Sequence, residues 1–232
     1  RRPTMAENVD VELAGRRLRL LSRRGVVWPD QQTLFVADTH FGKETTFRRN
    51  GIPVPAGSTE GTLRSVAAML HDTEATRLCI LGDLFHSRSS LSPRVQDCIE
   101  TFFRAFTNVA FVLVRGNHDE HVGRLPEHWP IEVVDPGHRI GAVVLGHDPA
   151  QRPDDASLYF CGPLHPVIRM RRGNESLGRL PCFWYSKGCM VLPAVGEFTG
   201  GHAIRPGRGD DAWMIVANQI QRFWSPEAAV AD

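Results

Sequence analysis

Short apolar runs separated by Gly, Pro and Asp set the pattern of this chain. Residues 17–21, 26–28 and 33–37 are β-prone and are split by Arg24-Gly25 and Pro29-Asp30, which predicts strands joined by tight turns and an antiparallel start to a sheet. Further on the period changes to that of helices. Leu63, Val66, Ala67 and Leu70 recur behind a capping Ser58, and Val95, Cys98, Ile99, Phe102 and Phe106 recur behind Ser92-Pro93. Apolar runs at 78–81, 109–114, 142–145 and 158–160 have the length of buried strands. The order strand, helix, strand, helix, strand up to Val114 predicts an α/β core with parallel strands. Residues 182–185, 190–192 and 213–216 predict a second, mostly antiparallel sheet. The expected fold class is therefore α/β, with two packed mixed β-sheets flanked by helices.

No internal repeat, low-complexity tract or shift in composition marks a boundary, so a single domain is expected over residues 1–232, with 1–10 and 225–232 as flexible ends. Arg1 to Thr4 precede Met5 and carry no weight in the fold, and 149–156 and 205–211 read as polar loops. At 42% hydrophobic and 23% charged residues over 232 positions, disordered and fibrous classes are excluded. A chain of this length closes a core without disulfides or a structural metal, so any metal must be justified by chemistry.

Charge adds little steering. With 27 basic and 26 acidic side chains the net charge is +1, and no global field attracts polyanions. Lys43 and Lys187 are the only lysines, so the basic side chains are otherwise arginines. The five cysteines are odd in number, form no C-x-x-C pair and mostly sit in apolar runs, the usage of reduced core cysteines in a cytosolic protein. No run approaches the ~18 residues of a membrane helix and the first ten residues hold no signal core, so a cytoplasmic location without a membrane partner is expected.

The chemistry sits at the ends of the apolar runs. The run at 34–37 leads into Asp38-Thr39-His40, and 79–81 leads into Gly82-Asp83. Residues 113–115 lead into Gly116-Asn117-His118-Asp119, 143–145 into Gly146-His147-Asp148, and 159–161 into Gly162-Pro163-Leu164-His165. Ligands of open α/β sheets gather at the carboxyl ends of strands, so these residues are expected to share one crevice. Asp, His and Asn supply hard oxygen and borderline imidazole donors, suited to Mn²⁺, Fe or Zn²⁺ rather than Ca²⁺.

In this order the motifs D-x-H, G-D, G-N-H-D, G-H and G-x-x-H resemble the calcineurin-like metallophosphoesterase superfamily. Narrower matches at 37–43, 47–55, 115–119 and 192–201 resemble the bacterial ligase-associated DNA damage response endonucleases of the PdeM type. The resemblance implies a four-layer sandwich and two divalent ions, most simply Mn²⁺. It implies that Asp38, His40 and His165 hold the first ion, Asp83 bridges, and Asn117 and His147 hold the second. A hydroxide activated by both ions would attack phosphorus, with His118, oriented by Asp119, as the catalytic group at the leaving oxygen. Lys43, Arg48, His86 and Arg169 are candidate substrate contacts, and Arg49, Arg171, Arg172 and Arg179 could guide a nucleic-acid backbone.

One position departs from the family pattern. Most members read G-H-x-H at the last motif, whereas here Pro163 stands where the first histidine would ligate the second ion. Weaker occupancy of that site is expected, with Cys161 and Asp148 as the nearest substitutes. The implied activity is a Mn²⁺-dependent single-stranded DNA endonuclease in repair, with a DNA ligase and a helicase-like nuclease as partners. Two alternatives stand beside it: hydrolysis of a small nucleotide or phosphate ester, and a degenerate, non-catalytic repair partner.

Overall fold

The computed structural model describes residues 7–49, 57–119, 124–172, 175–196 and 199–224. The tail read at 225–232 lies outside the described residues. A first sheet runs in chain order through β1 (Asn8–Leu13), β2 (Arg16–Leu21), β3 (Val26–Trp28), β4 (Thr33–Val36), β5 (Arg77–Leu81), β6 (Ala110–Val114) and β7 (Ile131–Val134). The strands up to β4 pair antiparallel, and those from β4 to β7 pair parallel. Parallel neighbours need crossovers, which α2 (Ser58–Thr73) and α3 (Pro93–Ala105) provide; α1 (Lys43–Arg49) is a shorter helix beyond the end of β4. Strand β1 starts at Asn8, which pairs with Leu21, so part of the stretch read as a flexible end is paired sheet.

The second sheet contains β8 (His138–Ile140), β9 (Val143–Leu145), β10 (Leu158–Cys161), β11 (Pro166–Arg172), β12 (Glu175–Ser186), β13 (Cys189–Val191), β14 (His202–Ala203), β15 (Asp211–Val216) and β16 (Gln219–Trp224). Its order is β14-β11-β12-β13-β10-β9-β8, with β15 paired to β12 and β16 to β15. β10 is parallel to β9 and β13, and β11 to β14; the other pairs are antiparallel.

Two apolar layers explain this stacking. Leu63, Val66, Met69 and Leu70 of α2 and Ile99, Phe102 and Phe103 of α3 pack on Leu34, Val36, Leu78 and Ile80. On the opposite face Phe35, Cys79, Leu81 and Val112 meet Val143, Leu158, Phe160 and Met190 of the second sheet, with the Phe35 and Phe160 rings edge to face at 4.9 Å. β4, buried along its whole length, touches both layers, which is why its sequence reads as an unbroken apolar run. Ser92 caps α3 by accepting from Val95 N at 3.5 Å. Ser58, by contrast, is not a cap: Gly57, at φ 93°, holds that place, and the Ser58 hydroxyl donates to Glu44 Oε2 at 2.6 Å. Among the described residues no helix is long and apolar enough to cross a membrane.

Candidate metal centre

Both sheets deliver their parallel strand ends to one place. Asp38 and His40 follow β4, Asp83 follows β5, and Asn117 and His118 follow β6, while His147 and His165 follow β9 and β10 of the other sheet. A bridge between Ala37 and Ala194 joins the sheets here, with Val195 N donating to Ala37 O and Leu192 N to Cys161 O. The turns are tight enough to drive side-chain-bearing residues into the left-handed region: Asp38 at φ 51°, His40 at 46°, Asp83 at 48° and His165 at 44°. Such conformations cost about 1–3 kcal/mol each and gather where function requires them. Close approach explains two of the glycines. A Cβ on Gly162 would sit 2.6 Å from Asp38 Oδ2, and one on Gly82 would sit 2.0 Å from His147 Nδ1.

Two clusters result, each with its ligand atoms within 4.8 Å of one another: Asp38, His40 and His165, and Asp38, Asp83 and His147. The side-chain amide of Asn117 lies 2.8 Å from His147 Nε2. Asp38 recurs in both clusters, its Oδ1 3.8 Å from His147 Nδ1, while Asp83 Oδ1 accepts from His118 N at 3.0 Å and lies 3.5 Å from His147 Nε2.

The donor set fits divalent cations. Asp38 is fully buried, and neither of its oxygens has a hydrogen-bond partner; His40 Nδ1, His86 Nδ1 and His165 Nε2 are buried and unpartnered as well. A buried carboxylate left in that state is costly without a cation to complete it. The imidazoles are also pre-oriented. Nδ1–H of His147 donates to Leu81 O at 3.1 Å and that of His165 to Gly200 O at 3.0 Å, leaving each Nε2 turned towards the carboxylates. Burial holds His40 at about 2, far below the ordinary imidazole value, with Lys43 and the neighbouring rings adding to the effect, so the ring is neutral, the form that binds a metal. Burial likewise raises Asp38 above the usual carboxylate range, against the pull of His165.

His118 stands at the open side, its side chain 39% exposed. Its Nδ1–H donates to His86 O at 2.9 Å and its Nε2 lies 3.8 Å from Asp83 Oδ2. Asp119 does not orient it, which corrects the expected catalytic pairing. The Asp119 carboxylate instead accepts from Gly116 N at 2.8 Å and Leu84 N at 2.9 Å, tying the loop after β6 to the loop after β5. Burial pushes that carboxyl up to about 6, partly offset by these same donors. His118 is oriented by the backbone of His86, a contact that sequence spacing does not reveal.

The expected substrate contacts divide. The His86 ring stacks on His118 at 5.4 Å and meets His40 edge-on at 5.7 Å, so it belongs to the centre. Lys43 is buried beside it: its Nζ lies 5.5 Å from the Phe47 ring centroid, and that ring lies 6.0 Å from His86. Arg48 lies in a recess with Glu44, Glu60 and Arg94 rather than among the imidazoles, because it sits one position past Phe47 on α1 and points from another face. Arg169 is out along β11, in a separate cleft. Neither substitute for the ligand missing at Pro163 is free: Cys161 Sγ lies 3.6 Å from Cys189 Sγ, and Asp148 caps the turn at Pro149–Gln151 by accepting from Ala150 N.

The fold and the site define a metallophosphoesterase. The calcineurin-like phosphoesterase family profile matches residues 32–151, and the chain belongs to that family. The crystal structure of Pseudomonas putida nuclease MPE is similar over 93% of this chain and 100% of that one, at 32% identity and a TM-score of 0.80. Yfce, a phosphoesterase from E. coli, is similar over 80% of this chain and 88% of that one, at 20% identity and a TM-score of 0.41. No curated protein sequence matches.

Proposed function

We propose that this phosphoesterase is a Mn²⁺-dependent endonuclease of single-stranded DNA. The observation that carries the reading is the set of buried, unpartnered ligand atoms on Asp38, His40 and His165 beside an exposed His118. Asp38, His40 and His165 would hold one ion, and Asp83, Asn117 and His147, sharing Asp38, a weaker second one. When bound, two such ions neutralise charge on a phosphate and lower the pKa of an attacking water. His118 Nε2 carries the proton delivered to the leaving oxygen, and its Nδ1–H, tied to His86 O, keeps the ring from turning away. Lys43, whose ammonium burial pulls below its ordinary value, lies beside the imidazoles where a phosphate would approach.

The preference for DNA is supported by likeness along almost the whole chain to a nuclease. A repair role in the cytoplasm, with a DNA ligase and a helicase-like nuclease as partners, belongs to the same proposal. The near-zero net charge favours the second reading, a small nucleotide or phosphate ester. Nicking of circular single-stranded DNA across a Mn²⁺ titration separates the two, because a circle reports only internal cuts. Cleavage by the wild type that is absent in Asp83→Ala is expected. An intact circle together with hydrolysis of a small diester would transfer the assignment to the second reading.

A further inference from the structure

Beyond the metal centre lies a cleft of about 680 Å³, formed by β11, β12, β14 and the segment after β14, with Phe223 of β16 at its side. Arg169, Arg171, Arg179 and Arg205 line it over a floor that includes Ile168 and Ile204. Several arginines elsewhere are neutralised: Arg19 meets Asp10, Arg94 meets Glu60, Arg139 meets Asp155 and Arg222 meets Asp211, whereas Arg77, Arg104 and Arg152 bond single hydroxyl or carbonyl oxygens and do not gather in one cleft. Among the described residues, none of the four cleft arginines meets a carboxylate; Arg179 Nη1 donates to Gly201 O at 3.4 Å. Arg169 and Arg179 are moreover direct partners across the antiparallel pair of β11 and β12. Like charges placed opposite each other weaken a sheet unless an anion lies between them.

We infer that this cleft is a binding track for the sugar-phosphate backbone of a single nucleic-acid strand leaving the metal centre, an inference that rests on the nuclease reading above. The connection is covalent and short. β11 begins directly after His165, and at about 3.3 Å per residue Arg169 stands about 13 Å along the strand from that histidine. The opposite wall starts from the same point, since His165 Nδ1 bonds Gly200 O and Gly201 lines the cleft. Phe223, 42% exposed at the cleft, offers a ring on which a base can stack without sequence preference. A near-neutral protein thereby gains local affinity for a polyanion that its net charge does not provide.

The test is the anisotropy of a labelled oligothymidylate titrated over a range of salt, with chelator present so that the strand is held and not cut. Replacing Arg171→Gln and Arg179→Gln together is expected to raise Kd about tenfold and to lower the slope of log K against log salt by about 1.4. Arg94→Gln with Arg139→Gln removes the same charge elsewhere and is expected to leave both values as in the wild type. Arg171→Lys with Arg179→Lys keeps the slope, and it serves as the readout if the glutamine pair melts without cooperativity. A glutamine pair that binds like the wild type would overturn the inference, as would a remote pair that weakens binding equally. Because binding is read without metal, a failure to nick DNA sinks the nuclease reading and leaves this measurement standing.

Discussion

The metal crevice and the arginine cleft meet at His165, yet they are built on opposite principles. In the crevice every element restricts motion: left-handed turns at Asp38, His40, Asp83 and His165, glycines that admit side chains at contact distance, and imidazoles pinned through Nδ1 to backbone carbonyls. In the cleft the charges sit on exposed arginine side chains of β11, β12 and the segment after β14, with no carboxylate to hold them among the described residues. Coordination and in-line chemistry demand fixed atoms, whereas contact with a flexible backbone tolerates movement. Rigidity is therefore concentrated where it changes a rate, and charge where it changes an affinity.

Substitutions on each side sharpen this contrast. Asp38→Asn removes the one charge that both clusters share, and about a thousandfold loss of phosphodiesterase activity is expected in a kcat assay. The metal-free variant should melt above the metal-free wild type, because an unpartnered buried carboxylate is gone. A lower melting temperature would mean that Asp38 is satisfied in some other way. His118→Ala is expected to cost about 10²- to 10⁴-fold in kcat with Mn²⁺ affinity unchanged, as measured by calorimetry, since His118 belongs to neither ligand cluster. Asp119→Ala leaves the N–H groups of Gly116 and Leu84 without their acceptor and should lower unfolding stability by about 2–4 kcal/mol in urea, more than its effect on activity at low temperature. Pro163→His is the smallest of these changes, with about tenfold tighter binding of the second ion expected.

Much of this was legible in the chain itself. Runs such as 33–37 and 78–81 are apolar because β4 and β5 are covered on both faces, and the residues that leave those runs are the ones at the crevice. β11 and the outer half of β12 were silent for another reason: in β11 the buried Val167 and Ile168 are followed by the exposed Arg169 and Arg171, and β12 is exposed from Glu175 to Arg179, so no sustained apolar period marks them. β1 alternates Val9, Val11 and Leu13 with polar residues, a legible signal that begins within the stretch read as a loose end, residues 1–10. The role of Asp119 was hidden because it depends on two loops, 35 residues apart at Leu84, being brought side by side. Nor does any residue pattern announce that four ligand-bearing positions adopt left-handed backbone, since that follows from how the turns close once both sheets are in place.

The shared role of Asp38 is tested most directly by equilibrium dialysis of Mn²⁺ against the wild type and Asp38→Asn. The wild type is expected to bind one ion tightly and a second more weakly, and the variant to lose both. Retention of either ion at wild-type affinity in Asp38→Asn would contradict a centre in which one buried carboxylate serves two clusters.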